Sequence, residues 1–220
     1  MTLKPHIISQ QIYLKKMIYV PEFVTLYEIF PYIRNFPLDN KTIRDAVKDY
    51  FEGGELKAVI ITKYGKICDW NTTNVTNMAR LFKDYIIFNE DISKWDTSKV
   101  TNMEQMFLCR ESFDQPIGEW NVSKVTYMNG MFYCAKNFNQ DISKWDTSKV
   151  TTMNGMFMCA KSFNQTIEEW DTSKVKYAEE MFRYAISFNP KNASCSLLKI
   201  ILCINSDSDG DGDGDSDSDE

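Results

Sequence analysis

Five tryptophans recur along this chain at an unbroken spacing of 25 residues, from Trp70 to Trp170. Other columns keep the same spacing. They are Ile67/Ile92/Ile117/Ile142/Ile167, Val75/Val100/Val125/Val150/Val175, Phe82/Phe107/Phe132/Phe157/Phe182 and Phe88/Phe113/Phe138/Phe163/Phe188. A fixed period of this kind indicates units that each pack on their neighbours, with like residues stacked on like. The sequence therefore predicts five coils of 25 residues over residues 67–191.

Within one coil, the pattern predicts a short strand followed by a short helix. Trp95 and Thr97 would share one face of the strand. Thr101 and Glu104 have the spacing of a helix capping box. Helical spacing also describes the next apolar face, formed by Met103, Met106, Phe107 and the Arg110 position. We therefore predict an α/β repeat, a leucine-rich-repeat-like right-handed solenoid of about five 25-residue strand–helix coils with a helical N-terminal cap.

One repeat carries a more specific resemblance. The segment FNQDISKWDTSKVT at residues 138–151, followed by MNGMF at residues 153–157, resembles the repeat of BspA-like leucine-rich-repeat surface proteins. That repeat is also known as the mycoplasma lipoprotein or bacterial surface repeat, and the resemblance covers about residues 65–190. It implies a repeat solenoid for adhesion or protein contact, without a catalytic motif. The members in large DNA viruses look closer than the secreted members.

The flanking sequences differ from the repeats. Residues 1–38 form an N-terminal extension, in which residues 5–38 faintly resemble an F-box-like helix. Residues 39–66 are predicted to cap the N-terminal end of the repeats, with a helix at residues 39–54 that Asp39 or Asn40 starts. Residues 192–205 form a degenerate C-terminal coil or cap, and residues 206–220 a disordered acidic tail.

Charge and composition exclude several classes of function. The net charge is −6, but residues 206–220 hold eight acidic groups, which leaves 25 basic against 23 acidic groups elsewhere. This balance predicts no nucleic-acid partner. The chain has one histidine, His6, which disfavours catalytic triads and multi-histidine metal sites. We expect no enzyme activity, no cofactor and no metal. A signal peptide and a membrane span are not expected either, so an intracellular location is favoured.

Two columns consist of residue types that carry out chemistry in other proteins. Asp96, Asn121, Asp146 and Asp171 raise the possibility of paired catalytic acids, but a turn-forming role explains their repetition better. Cys109, Cys134 and Cys159 also share a column. Two of these cysteines have the spacing to pair, but reduced packing cysteines are the preferred interpretation.

A third column suggests a binding surface. On a helical wheel with Met103 at zero, residue 108 lies at about 140°, far from the buried face. The column consists of Lys83, Leu108, Tyr133, Met158 and Arg183. An aligned apolar stripe with a cation at each end is typical of a protein contact, unless the helices are irregular and bury it in part. We predict a monomeric, non-enzymatic scaffold that binds an unknown protein partner. A surface adhesin, or an F-box-like adaptor acting through residues 5–38, is the alternative.

Overall fold

A computed structural model describes residues 36–206, with side chains to residue 202. Its helices are α1 (Thr42–Glu52), α2 (Gly54–Tyr64) and α3 (Cys195–Ser206). Two 3₁₀ turns, Ile67–Asp69 and Pro190–Asn192, flank the repeats. None of these helices has the length and apolar content that crossing a bilayer requires. The F-box-like segment, most of the N-terminal extension and the acidic tail lie outside the described residues.

The helix predicted within residues 39–54 is present as α1. Asp39 starts it, because its carboxylate accepts the backbone N–H groups of Lys41 and Thr42 at 3.0 and 2.8 Å. Its buried face consists of Ile43, Ala46, Val47 and Tyr50. Gly53 adopts a φ of 83° between α1 and α2, a left-handed conformation that glycine accepts without strain.

Residues of the N-terminal segment attach to the first coil. Leu38 N–H donates to the Asn71 carbonyl oxygen at 2.8 Å. Asn40 does not cap α1; its side-chain oxygen accepts the backbone N–H of Thr76 at 2.8 Å. Tyr50 packs edge-on against Trp70, with 5.7 Å between ring centroids. α1 therefore covers the N-terminal end of the repeats.

The repeats stack with equivalent side chains in contact. We number the units coil 1 to coil 5, for residues 67–91, 92–116, 117–141, 142–166 and 167–191. Trp70 stacks on Trp95 at 6.0 Å between centroids, and Trp145 stacks on Trp170 at 6.2 Å. The tryptophans are only 3–4% exposed, and the phenylalanine columns of the central coils are fully buried. The columns recognised in the sequence thus form the core.

The strand–helix interpretation of each coil is wrong. Residues 70–189 contain neither an α-helix nor a strand, and neighbouring coils meet at isolated parallel bridges. Along the ladder these bridges join Asn77, Asn102, Tyr127, Thr152 and Tyr177 in succession. The fold is therefore not the predicted leucine-rich-repeat-like right-handed solenoid of strand–helix coils. It is a stack of coils built from turns.

The reason lies in how the backbone N–H groups are used. In coil 2, Gln105 and Cys109 adopt positive φ values of 53° and 56°. Their N–H groups donate to carbonyl oxygens of coil 3 at 2.9 and 2.7 Å. Alternate N–H groups bond three residues back, as in Met106 to Met103, so the pattern of an α-helix does not form. Thr101 does not cap a helix, because its hydroxyl donates to the Thr76 carbonyl oxygen at 3.2 Å. The successive turns place a buried side chain at every third or fourth residue, which is also the spacing of a helix face.

The C-terminal segment forms a helix on the last coil. Ile167 and Ala193 form an isolated parallel bridge, and α3 begins two residues later. Leu197 of α3 is fully buried, and the Ser196 hydroxyl lies 3.3 Å from that of Thr172. The segment predicted as a degenerate coil or cap is therefore largely helical.

Candidate interaction surface

The predicted binding column runs across the five coils, but the structure exposes its members unequally. We call Lys83, Leu108, Tyr133, Met158 and Arg183 the central column. The two cations at its ends are exposed. The three apolar side chains between them are half-buried. The helical wheel that placed them opposite the core does not apply, because the coils contain no helix.

Backbone contacts hold the central column in line. The carbonyl oxygens of Tyr133 and Met158 accept N–H groups from the preceding coil at 2.7 and 2.8 Å. The Tyr133 ring extends toward coil 4, where a Cβ on Gly155 would lie 3.8 Å from its Cδ2 atom. Gly155 has a φ of 57°, as Gly130 has 56°, so both occupy left-handed positions of their turns. The apolar centre is therefore a shallow surface shared between coils.

The cysteine column lies beside the central column. Cys109, Cys134 and Cys159 are free thiols with left-handed backbone conformations. Burial, reinforced by a hydrogen bond with Cys159, raises the pKa of the Cys134 thiol to about 12. A thiol held neutral in this way is a poor nucleophile and a poor metal ligand. The three thiols are free, but only Cys134 and Cys159 are partly buried; Cys109 is exposed and does not pack in the core.

The acidic column forms turns, as predicted. Asp96 accepts the backbone N–H of Ser98 at 2.9 Å, and Asn121 accepts that of Ser123 at 3.1 Å. Hydrogen bonds from Ser98 hold the pKa of Asp96 below its ordinary value. Because an amide performs the same task at Asn121, the column does not need an ionisable group. Its geometry is that of a turn rather than of paired catalytic acids.

Several exposed apolar residues were missed by the sequence reasoning. Tyr127 and Tyr177 are about half exposed in the column of bridge residues, at 47% and 51%. Ile87 and Ile186 are more exposed still, at 85% and 77%. The sequence signal for these residues was an apolar or aromatic side chain in a column whose other members are mostly polar. For example, Tyr127 occupies the position that is Asn102 in coil 2.

Acidic, histidine and cysteine side chains do not converge on a metal-sized site anywhere in residues 36–206. An open hollow beside α2 is lined by Ile61, Tyr64, Gly65, Lys66 and Asp69. It brings together one carboxylate and one amine, without a nucleophile activated by a base. Within the described residues, the candidate site is therefore the exposed surface of the central column.

These features define a repeat protein made of stacked turn-rich coils, closed by helices at both ends. The family described as "Mycoplasma protein of unknown function, DUF285" matches residues 55–145 and 109–200. The chain belongs to this family. The match confirms the resemblance to the mycoplasma repeat, whereas a closer likeness to members in large DNA viruses has no support. No curated protein and no solved structure matches the chain.

Proposed function

We propose that this protein is a non-enzymatic scaffold that binds a protein partner, as a monomer, through the central column. The observation that supports the proposal is the continuity of that column across five coils. Three of its positions are fixed by backbone hydrogen bonds from the preceding coil, because the carbonyl oxygens of Tyr133, Met158 and Arg183 accept N–H groups at 2.7–2.8 Å. A rigid apolar centre between Lys83 and Arg183 loses little conformational entropy when a partner covers it. Tyrosine and methionine adapt well to protein surfaces.

The test removes the apolar centre while leaving the cations in place. The variant combines Leu108→Ser, Tyr133→Ser and Met158→Ser in the full chain. A matched control combines Ser112→Ala, Asn137→Ala and Ser162→Ala, three exposed positions in the same coils. Both variants are compared with wild type by thermal melting, by affinity capture from the native host, and by titration of the purified partner.

We expect the control to bind normally and the central-column variant to lose the partner while its Tm stays within a few degrees of wild type. A large fall in Tm would place the three side chains in the core and contradict the proposal. Retained binding at an unchanged Tm would show that the partner contacts another surface, for example the exposed Tyr127 and Tyr177.

A further inference from the structure

Hydrogen bonds between coils give the stack two chemically different ends. In each of coils 2, 3 and 4, four alternate N–H groups donate to carbonyl oxygens of the following coil. In coil 3 the donors are Met128, Gly130, Phe132 and Cys134, with donor–acceptor distances of 2.8–3.0 Å. These four N–H groups point the same way, whereas a smaller number of backbone bonds, such as Thr126 N–H to Thr101 O at 2.9 Å, runs in the opposite direction. Coil 1 therefore ends the stack mainly with carbonyl oxygens, and coil 5 ends it mainly with N–H groups.

Cationic side chains close the carbonyl end. Arg44 of α1 donates to the Asn77 carbonyl oxygen at 3.3 Å. Arg110 reaches back from coil 2 and donates to the carbonyl oxygens of Phe82 and Lys83 at 2.8 and 3.1 Å. Arg110 is only 3% exposed, so its charge is held against these acceptors. The positively charged side chains of Arg44 and Arg110 therefore bind backbone carbonyl oxygens of coil 1.

At the opposite end α3 packs on coil 5, but no side chain within residues 36–206 accepts a hydrogen bond from the N–H groups that continue the series there. The equivalent donors in coil 5 are the N–H groups of Ala178, Glu180, Phe182 and Tyr184. Ala178 is fully buried, and we call the other three the open donor row. None has a hydrogen-bond acceptor among the described residues. Glu180 and Tyr184 keep the left-handed φ values of the other coils, at 54° and 61°, so the row keeps its direction. Phe182 is partly exposed, unlike Phe107 and its other counterparts in the central coils.

Such a row has the chemistry of an anion-binding surface. N–H groups in turns that include left-handed residues converge on negatively charged or carbonyl oxygens. Lys176 and Arg183 are exposed beside the row. Two acids lie there as well, but Glu180 pairs with Arg183, and Glu179 accepts a hydrogen bond from Asn154 at 3.4 Å. Their negative charge is therefore partly compensated.

The segment that follows α3 has the matching chemistry. From Asp207 onward an acid occupies every second position to Asp219, followed by Glu220. The donors in the row also occupy every second residue. α3 packs on coil 5 through Leu197, so the acidic segment starts from the same end of the stack. Its 14 residues reach about 46–50 Å when extended, more than twice the length of the five residues from Glu180 to Tyr184.

We propose that the acidic segment 207–220 docks on the open donor row of the same chain, where its carboxylate and carbonyl oxygens accept the N–H groups of Glu180, Phe182 and Tyr184. Covalent attachment supplies an effective concentration in the millimolar range, so individually weak contacts are sufficient. The segment then neutralises the donor end as Arg44 and Arg110 neutralise the carbonyl end.

The test measures hydrogen exchange at the row in full-length protein. The variant replaces the seven aspartates of residues 207–220 with asparagine and Glu220 with glutamine, which keeps length and shape. We expect the amides of Glu180, Phe182 and Tyr184 to exchange about tenfold faster in the variant, and in wild type at high salt. The amides of Phe132 and Cys134, which donate to coil 4, should not change and serve as internal controls.

Equal exchange at the row in wild type and variant would overturn the proposal. Protection that disappears on dilution would also overturn it, because a second copy of the chain would then cover the row. Partner capture does not depend on this contact, so loss of the proposed scaffold function would leave the exchange result unaffected.

Discussion

The indole Nε1 of Trp120 donates a hydrogen bond to the carbonyl oxygen of Ile92 at 3.2 Å, across the boundary between two coils. The same bond recurs from Trp95 to Ile67, from Trp145 to Ile117 and from Trp170 to Ile142. Each of these four tryptophans thus fills the core and also fixes the register of its coil on the preceding one.

Truncating Trp120 tests both contributions. Trp120→Ala removes a side chain that is 4% exposed, and we expect a loss of about 3–5 kcal/mol in the free energy of unfolding. Trp120→Phe keeps a ring but not the donor, so we expect about 1–3 kcal/mol. Urea denaturation followed by circular dichroism measures both. The exposed control Lys124→Ala should change stability by less than about 0.5 kcal/mol; a similar value for Trp120→Ala would contradict the packing.

The 25-residue register predicts a difference between two deletions. Removing residues 121–145 joins Trp120 to Asp146. The side chains and backbone N–H donors of coil 2 then face the equivalent residues of coil 4 instead of those of coil 3. We expect a cooperative but less stable fold, because each coil contacts only its neighbours. Removing residues 121–132 shifts every following column by half a coil and should abolish cooperative unfolding. Similar urea melting curves for the two deletions would contradict the register.

The sequence predicted the register and the core, but not the backbone conformation. Met103, Met106 and Phe107 are buried as the periodicity indicated. A helix and a chain of turns place side chains inward at the same spacing, so the pattern did not distinguish them. The residue types at Gln105 and Cys109 do not signal a left-handed φ. The glycines equivalent to Gln105 in coils 3 and 4 were the available signal.

Burial of the central column and the polarity of the two ends were equally hard to predict. Both depend on which way N–H groups point, and every non-proline residue carries the same N–H. Arg110 shows this well, because it occupies a position that is alanine in coils 3, 4 and 5. The sequence suggested an irregular residue on an apolar face. Its hydrogen bonds to the carbonyl oxygens of coil 1 become visible only in three dimensions.

Gly118 offers a test in which the repeat pattern and the structure disagree. The equivalent positions in coils 2 and 4 are Ser93 and Ser143, so the repeat favours Gly118→Ser. In coil 3 the turn follows Pro116 and lies against Asp141, the last residue of the same coil. A Cβ on Gly118 would lie 2.2 Å from the Asp141 carbonyl oxygen.

We therefore expect Gly118→Ser to cost about 1–3 kcal/mol in the free energy of unfolding, through displacement of the backbone at Asp141. Glu168→Ser introduces the same residue into the same column at an exposed position and should cost less than about 0.5 kcal/mol. Urea denaturation again provides the measurement. A stabilising effect of Gly118→Ser would show that the Asp141 backbone lies farther from Gly118.

The acidic turns predict the pH dependence of stability. Hydrogen bonds from the serine two residues later lower the pKa of Asp96, Asp146 and Asp171 below 3.8. The folded state therefore binds fewer protons than the unfolded state near that pH. This stabilisation is complete above pH 3.8 and is lost as the pH falls through the lower pKa of the folded state.

Replacing the three aspartates with asparagine should keep the turns, since Asn121 already forms one, and should make the acid limb of Tm against pH shallower. Melting between pH 2 and pH 7 by differential scanning calorimetry measures the limb. Asp91 and Asp141, whose pKa values are also lowered, should maintain a residual slope. An unchanged acid limb would mean that these carboxylates do not contribute to folding stability.

Cys134 should be the protected member of the cysteine column. With a pKa of about 12, it is about one part in ten thousand thiolate at pH 8, against about a quarter for an ordinary thiol. Alkylation by iodoacetamide at pH 8, followed by peptide mapping, should therefore modify Cys134 about a thousandfold more slowly in native protein than in urea. Cys109, which is exposed, provides the comparison within the same sample. Equal rates at Cys134 in native and unfolded protein would show that burial beside Cys159 does not hold the thiol neutral.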